Sequence, residues 1–246
     1  MIFDWGKTWQ EVEDATRKFN FKKTLVILSG GMDSATCLGI AKACSDEVGC
    51  ITFDYGQTHN KEIICAREVG WDFQADVKTI DLNNLASNFV TALSKDSDIE
   101  IPEGATDDVP PTYVPFRNTI MLAIAAGYAQ SWGFTDIFYG ANIIDYSGYP
   151  DCRPEYISKM NEVIKTHTTD LVVHAPIVYL SKADVVTLGE RLYVPWDKTW
   201  SCYRGGMKAC GKCPSCEYRL LGFGQARVQD PIAYDEGVIQ DWQKKT

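Results

Sequence analysis

The chain has 246 residues, 45% of them hydrophobic and 23% charged, which is enough for one large α/β domain with a small appendage. Its formal net charge of -9 argues against a broad surface for DNA or RNA and favours small substrates. The sequence has no long uncharged apolar run, and its acidic, amphipathic N-terminus is unlike a signal peptide. We therefore expect a soluble, untargeted cytoplasmic protein that binds neither nucleic acid nor membrane.

The first half of the chain predicts a helix followed by repeated strand-helix units. Thr8 precedes Glu11 at the spacing of a capping box, so residues 1–22 are expected to form a helical extension. Strands that alternate with helices are typical of a parallel sheet with right-handed crossovers. The predicted pairs are a strand at 24–29 with a helix at 33–44, a strand at 48–55 with a helix at 57–70, and a strand at 75–81 with a helix near 82–93.

The second half predicts a loop, further strands and helices, and a terminal module. Residues 94–116 contain prolines and acidic residues without a hydrophobic period, which favours an active-site flap. The next helix, at 118–131, is apolar nearly all round and is expected to be central. The remaining predictions are a strand at 136–142, a polar loop at 147–156, a helix at 155–166, a strand at 171–174, a helix at 182–192, an α/β domain spanning 23–198 and a small module with a tail at 199–246.

The stretch "LSGGMDSATCL" at 28–38 follows the first strand of the predicted sheet. Consecutive glycines allow backbone conformations closed to other residues, and the N–H groups that begin a helix attract an anion. This favours a phosphate-binding loop, although the Lys of a P-loop and the third glycine of a dinucleotide fingerprint are both missing. The alternative is a structural turn in which Asp33 is only a first-turn charge.

Four cysteines cluster near the C-terminus in the pattern C-x7-C-x2-C-x2-C, namely Cys202, Cys210, Cys213 and Cys216. Four thiolates at this spacing suit tetrahedral Zn²⁺, and a closed four-ligand site indicates a structural role. Iron–sulfur ligation is the main alternative, but no flavin or adenosylmethionine motif accompanies the cluster. A nucleic-acid-binding zinc ribbon is a further alternative, which the overall acidity disfavours. The scattered Cys37, Cys44, Cys50 and Cys65 fall in apolar segments and predict buried, reduced thiols.

The string S-G-G-x-D-S resembles the signature of the ATP pyrophosphatase, or PP-loop, superfamily. The resemblance implies that the loop clamps the pyrophosphate of ATP while a carbonyl oxygen is adenylated, with AMP and pyrophosphate as products. Asp33 is then expected to serve Mg²⁺ or orient the phosphates, and Ser34 to hydrogen-bond them. The implied nucleotide-binding residues are Leu28, Ser29, Gly30, Gly31, Met32, Asp33, Ser34, Ala35, Thr36, Cys37 and Leu38.

Further segments together resemble the 7-cyano-7-deazaguanine synthase family, over most of the chain: "TFDYGQTH", "VPFRN", "DYSGYPDCRPEY", "WSCYRGG" and "CGKCPSC". The resemblance implies an adenine-nucleotide α-hydrolase-like fold, a homodimer, and ATP, Mg²⁺ and Zn²⁺ as cofactors. The implied activity is a carbon–nitrogen ligase acting on 7-carboxy-7-deazaguanine. Its carboxylate is adenylated and takes ammonia to form an amide, and the amide oxygen is then activated and expelled to leave a nitrile.

Three polar residues follow the second predicted strand at the edge where open α/β sheets place ligands. Tyr55 and Gln57 are candidate substrate contacts. His59 is a candidate catalytic proton acceptor for attacking ammonium, with a structural histidine at a helix start as the alternative.

Three further candidates lie around the predicted flap and the last predicted helix. Arg117 is expected to bind a phosphate or the substrate carboxylate, or else to form a surface salt bridge. Asn118 is either a substrate contact or a helix N-cap. Lys182 matches a family lysine that contacts phosphate, and by position alone it is a first-turn lysine.

The segment 145–153 is expected to recognise the base. Tyr149 offers a stacking face, while Asp145 and Asp151 offer acceptors for the ring N–H and exocyclic amine. Arg153 is expected to hold the 7-carboxylate or to pair with Asp151. Cys152 is interpreted as a pocket wall, because no partner histidine for a nucleophile is evident.

Two departures from the family pattern leave other functions open. Thr58 stands where many relatives have Arg, and a helix precedes the strand that usually opens the chain. Either feature fits a variant that stops at the amide or transfers the activated carboxylate to another amine. A tRNA-thiolating enzyme and a non-catalytic zinc and nucleotide module are the remaining alternatives. No glutaminase domain is visible in the sequence, so free ammonia is the expected nitrogen source.

Overall fold

The computed structural model describes residues 4–57, 59–82, 85–94, 97–104, 111–143, 149–168 and 170–238. These residues contain a five-stranded, fully parallel sheet in the order β3-β2-β1-β4-β5. The strands are β1 (Phe21–Ile27), β2 (Ser45–Asp54), β3 (Asp76–Asp81), β4 (Asp136–Phe138) and β5 (Val172–His174). The helices are α1 (Trp9–Lys18), α2 (Met32–Cys44), α3 (Lys61–Asp72), α4 (Arg117–Trp132), α5 (Pro154–Lys165), α6 (Lys182–Arg191) and α7 (Pro214–Ala226).

Helices cover both faces of the sheet, which confirms the predicted parallel α/β fold. The central strand β1 explains why two hydrophobic cores form, since successive side chains of a strand point to opposite faces. Val26 packs in the core beneath α1, α2, α3, α6 and α7. Leu25 and Ile27 pack in the core beneath α4 and α5.

The N-terminal helix is capped as its sequence predicts. Thr8 Oγ1 accepts a hydrogen bond from the Glu11 backbone N–H at 3.3 Å, and Glu11 Oε2 accepts one from the Thr8 N–H at 3.1 Å. The buried side of α1, which includes Val12 and Ala15, belongs to the same core as α2 and α6. Residues 1–3 lie outside the described residues.

The prediction of a helix near 82–93 is wrong. The described part of this segment forms only a short 3-10 turn, Ala86–Asn88. Asn and Ser compete with the helical backbone for hydrogen bonds, so these residues favour turns. The preceding helix begins at Lys61 instead of 57, because Gln57 forms a bridge with Ser94 and its side chain accepts a hydrogen bond from the Tyr55 N–H at 2.9 Å.

Helix α4 forms as predicted but is not central. Met121, Leu122, Ala125 and Ala129 face the sheet, whereas Trp132 at its end is 63% exposed. The solvent-facing side contains small Ala and Gly residues, which are often exposed in folded proteins. The apolar composition of α4 therefore does not require every side of the helix to be buried. The predicted strand at 136–142 is also shorter, since β4 ends at Phe138.

The C-terminal module packs on the α/β part through α7, and α7 also carries one partner of an ion pair that is buried within the module. Arg219 Nε donates to Asp230 Oδ2 at 2.7 Å, and both side chains are fully buried. The guanidinium also donates to Thr199 Oγ1 at 2.8 Å and to the Trp196 carbonyl at 3.1 Å. Across the part of the chain that the structure describes, no helix has the length and apolar character needed to cross a membrane.

Candidate active site and cysteine metal centre

A cavity of about 320 Å³ lies beyond the carboxyl ends of β1 and β4. On one side of β1 the sheet continues through β2 to β3, and on the other side it continues through β4 to β5. The strand order therefore reverses between β1 and β4. Open α/β sheets bind ligands in the crevice at such a switch point. The cavity is lined by Leu28 and Ser29, which directly follow β1, and by Tyr139 and Gly140, which directly follow β4.

The glycine loop after β1 forms one end of the cavity. Gly30 has a φ of +84°, and a Cβ there would collide with the backbone carbonyl of Glu62, so glycine is required. Ser34 Oγ accepts a hydrogen bond from the Ser29 N–H at 3.1 Å and donates to the Gly31 carbonyl at 3.0 Å. Gly31 is the N-cap of α2 and supplies no side-chain cap. The start of α2 is therefore suited to receive an anion from the cavity.

A lysine from a distant part of the sequence completes this end of the cavity. Lys182 Nζ lies 2.8 Å from both carboxylate oxygens of Asp33. The side chains of Lys182 and Asp33 are only 11% and 29% exposed. Gly140 allows the chain after β4 to approach closely, since a Cβ there would lie 3.1 Å from the Ser34 nitrogen. The structure thus brings together the predicted catalytic residues Asp33, Ser34 and Lys182.

Arg117, the first residue of α4, lies at another wall of the same cavity. Its guanidinium carbon is 5.8 Å from the centre of the Tyr55 ring. Burial acts to lower the pKa of Arg117, but the phenol groups of Tyr55, Tyr149 and Tyr203 outweigh it and raise the pKa above its usual value. The cavity therefore contains a permanent positive charge surrounded by aromatic rings.

The predicted substrate contacts Tyr55, Gln57, Asn118 and Tyr149 also line the cavity. Tyr149 OH lies 3.1 Å from Thr112 Oγ1. This contact connects Tyr149, from the segment predicted to recognise the base, to the end of the predicted flap. Burial raises the pKa of Tyr55 to about 12, so its hydroxyl keeps its proton at neutral pH. These rings provide flat, polar-edged walls of the kind that stack on a heterocycle.

Asp151, a predicted substrate contact, is not part of the cavity wall, although its neighbours Tyr149 and Cys152 are. It is 5% exposed, and its Oδ1 has no hydrogen-bond partner among the described residues. Burial raises the pKa of Asp151, while the charge of Arg117 and a hydrogen bond from Asn118 lower it. Its neighbour Cys152 lines the cavity, as predicted for a pocket wall, and burial raises the pKa of that thiol.

Several predicted site residues lie elsewhere. His59 is absent from the cavity wall, and its Nε2 lies 3.0 Å from the Cys202 carbonyl oxygen in the cysteine module. Arg153 is exposed and forms the N-cap of α5. Ala35, Thr36, Cys37 and Leu38 are fully buried within α2 and do not reach the cavity. The predictions for Thr58 and Asp145 fall outside the described residues.

The cavity also contains residues that sequence reasoning missed. Glu62, in the first turn of α3, lines the cavity, and burial raises its pKa to about 7. Tyr203, Ser215 and Tyr218 reach the cavity from the cysteine module. The position of Tyr203 next to a cysteine was a usable signal, but nothing in the local sequence distinguishes Glu62 from a surface residue.

The four clustered cysteines converge on one point. Their sulfur atoms all lie within 4.8 Å of one another, and all four residues are buried. Sulfurs bound to Zn²⁺ at about 2.3 Å in a tetrahedron lie roughly 3.8 Å apart, and the Cys210 and Cys216 sulfurs are 3.9 Å apart. Backbone N–H groups of Lys212 and Cys213 point at Cys210 Sγ, at 3.5 and 3.3 Å. The residues therefore fit a closed, four-thiolate structural metal site.

Residues 23–227 match the family described as "Queuosine biosynthesis protein QueC". The chain is 46% identical over 226 residues to the 7-cyano-7-deazaguanine synthase of Thermoplasma acidophilum, covering 87% of this chain and 93% of that protein. It is 46% identical over 217 residues to the protein of the same name from Oceanobacillus iheyensis, covering 87% of this chain and 98% of that protein.

Two solved structures match this chain at low sequence identity and with TM-scores just below 0.5. An NMN synthetase from Francisella tularensis is 15% identical, with a TM-score of 0.49 over 90% of this chain and 84% of that chain. An NH3-dependent NAD synthetase from Campylobacter jejuni is 16% identical, with a TM-score of 0.47 over 78% and 75% of the two chains.

Proposed function

The chain belongs to the queuosine biosynthesis protein QueC family, whose curated relatives are ligase-type enzymes, and we propose that it makes 7-cyano-7-deazaguanine from 7-carboxy-7-deazaguanine, ammonia and ATP. In this proposal ATP adenylates the carboxylate, ammonia displaces AMP to give the amide, and a second ATP activates the amide oxygen for expulsion. The observation that supports it best is a single cavity with a phosphate-binding loop at one end and a charged, aromatic wall near Arg117.

The glycine loop accounts for the nucleotide half of the reaction. A carboxylate oxygen is a poor leaving group, and adenylation replaces it with AMP. As pyrophosphate departs, negative charge develops beside the start of α2 and the ammonium of Lys182, which stabilise it. Asp33 is the carboxylate that would hold Mg²⁺ together with the phosphates, and the ion supplies further charge neutralisation when bound.

The aromatic wall accounts for the recognition of the base. Tyr55 and Tyr149 can stack on a deazapurine ring, and the charge of Arg117 can hold its 7-carboxylate until that group is adenylated. We assign recognition of the N–H edge of the ring to Asp151, which is not part of the cavity wall but whose buried Oδ1 has no hydrogen-bond partner among the described residues. A buried acceptor of this kind discriminates strongly against rings that lack those donors, by roughly 10⁴-fold.

The cysteine module supports the site without taking part in the chemistry. The four cysteines would hold Zn²⁺, and all four ligand positions would be filled by the protein, so no open position is left for a substrate. Zinc would stabilise the fold of the segment that places Tyr203 and Tyr218 at the cavity.

The test is to incubate the metal-loaded protein with ATP, Mg²⁺, ammonium and 7-carboxy-7-deazaguanine and to identify the products by mass spectrometry. We expect the nitrile, with two AMP formed for each molecule. The amide alone, with one AMP, would instead identify a variant that stops halfway. Formation of no AMP would refute the proposed substrate. Dependence on added tRNA would favour a thiolating enzyme.

A further inference from the structure

Two carboxylates line the cavity among the described residues, and they differ in their partners. Asp33 is held by Lys182, whose Nζ lies 2.8 Å from each of its oxygens. Glu62 takes part in no ion pair or side-chain hydrogen bond among the described residues. Glu62 is therefore the carboxylate in this cavity that is available to accept a proton from a substrate.

Glu62 is positioned near both the glycine loop and Arg117. It lies in the first turn of α3, whose backbone contacts the glycine loop closely, since a Cβ on Gly30 would meet the Glu62 carbonyl. Its carboxylate interacts electrostatically with Arg117, which lines the same cavity. A carbonyl carbon activated beside the loop and oriented by Arg117 would lie between these groups.

We propose that Glu62 is the general base that removes a proton from the attacking nitrogen. This assignment rests on the proposed function, because it requires an acyl adenylate and an amine nucleophile. It replaces His59, the proton acceptor expected from the sequence, which lies against the Cys202 carbonyl away from the cavity wall.

The nitrogen lone pair of ammonia forms a bond to the carbonyl carbon of the adenylate, and the bond from that carbon to the AMP oxygen breaks, so AMP leaves with the electron pair. The nitrogen loses one proton to the Glu62 carboxylate. The products are the amide, AMP and a protonated Glu62, which returns its proton to solvent before the next cycle.

The surroundings of Glu62 suit this role near neutral pH. Burial raises its pKa to about 7, the positive charge of Arg117 lowers it, and Cys202 raises it. Tyr55, Cys65 and Tyr203 also interact electrostatically with Glu62. A base is most effective when its pKa lies near the working pH, because it is then both ionised and basic.

The other groups in the cavity are poor proton acceptors. Burial raises the pKa of Tyr55, Tyr139 and Tyr203, so these phenols are protonated at neutral pH. Burial also raises the pKa of Cys152. Lys182 is engaged in the ion pair with Asp33.

The test separates adenylation from nitrogen transfer in Glu62→Gln. Adenylation is measured as exchange of labelled pyrophosphate into ATP, with the carboxylate substrate present and ammonia absent. Transfer is measured as amide formation with ammonium, and again with hydroxylamine, which is uncharged at neutral pH and needs less help from a base. Glu68→Gln is the matched control, since Glu68 lies on the same helix, is exposed and does not line the cavity.

We expect Glu62→Gln to keep pyrophosphate exchange and to lose amide formation with ammonium by about 100-fold or more, while hydroxylamine restores most of the rate. Glu68→Gln should behave like the unaltered protein. Equal losses with both nucleophiles, or loss of exchange, would overturn the assignment, because Glu62 would then be needed for binding or structure. Undiminished amide formation would also overturn it. Absence of exchange in the unaltered protein would refute the proposed function itself.

Discussion

At the scale of single residues, the site is made by pairs that the chain brings together over long distances. Lys182 and Asp33 are 149 positions apart, yet the ammonium bridges both carboxylate oxygens. Each side chain on its own resembles an ordinary first-turn helix residue. The pairing holds a buried positive charge beside the start of α2, where a phosphate would lie.

Replacing this lysine should impair the nucleotide half of the reaction. We expect Lys182→Met to lower substrate-dependent pyrophosphate release by about 100-fold, since it removes a charge that stabilises the leaving group. Lys198→Met is the control, because Lys198 also pairs with an aspartate but lies away from the cavity. Normal release by Lys182→Met would show that the lysine only neutralises Asp33.

Glu62 should make the stability of the protein depend on pH. Its pKa is about 7 in the folded protein against 4.5 for an unperturbed glutamate, so the folded state favours the protonated form. Its contribution is fully present below about 4.5 and is lost as the pH rises through 7. We expect Glu62→Gln to gain stability relative to the unaltered protein over this range, by on the order of 1–3 kcal/mol.

Urea unfolding at pH 5 and pH 8 measures this effect. The stability difference between Glu62→Gln and the unaltered protein should be larger at pH 8 than at pH 5. The same difference at both values would mean that the carboxylate is solvated and has an ordinary pKa. The exposed Glu68→Gln serves again as the control and should leave the pH dependence unchanged.

At the scale of elements, the junction between β1 and α2 depends on one backbone conformation. Gly30 has a left-handed φ of +84°, and its Cα faces the backbone of α3. A side chain of any size would strain the φ angle and push α3 away from the loop. The same contact holds α3, and therefore Glu62, against the cavity.

Two glycine substitutions should distinguish the specific need for glycine at position 30 from the general effect of glycine on helix stability. We expect Gly30→Ala to destabilise the fold by roughly 2–4 kcal/mol and to abolish ATP binding. Gly127 lies on the exposed side of α4 with nothing near its Cα, so Gly127→Ala should stabilise the fold by about 0.5–1 kcal/mol. Thermal unfolding with and without ATP measures the stability and the ATP binding of both variants. A Gly30→Ala variant that is as stable as the unaltered protein would contradict the close approach of α3 to the loop.

At the scale of the whole molecule, the cysteine module and the α/β part share one cavity. The module contributes Tyr203, Ser215 and Tyr218 to the wall. Arg219, which forms a buried ion pair with Asp230 inside the module, also donates to the Trp196 carbonyl in the α/β part. A metal ion bound by the four cysteines should therefore affect the cavity, although the cysteines themselves do not line it.

Loss of the metal should loosen the module and weaken ligand binding. We expect Cys213→Ala to lose bound zinc, to lose hydrogen-exchange protection over 199–226, and to bind ATP and substrate more weakly, while the sheet keeps its protection. Cys44→Ala, a buried cysteine outside the cluster, should retain the metal. Unchanged protection in the metal-free protein would show that the module folds without an ion.

The sequence alone determined the features that depend on local chemistry. Alternation of strands and helices predicted the parallel α/β fold, Thr8 and Glu11 predicted a capping box, and the cysteine spacing predicted the thiolate cluster. The glycine loop could be located for the same reason, because the conformation of a turn depends on the residues within it. Such features can be predicted from the sequence without knowledge of the fold.

Only the tertiary structure decided which distant side chains meet. Arg117, Glu62 and Tyr203 come from three different connections of the fold and meet around one cavity, whereas His59 lies against the cysteine module. The helix expected near 82–93 is a different kind of error, because Asn and Ser in this segment favour a turn and that local signal was overlooked. The basicity of Glu62 likewise depends on burial and on the charge of Arg117, and both come from segments that are far from it in the sequence.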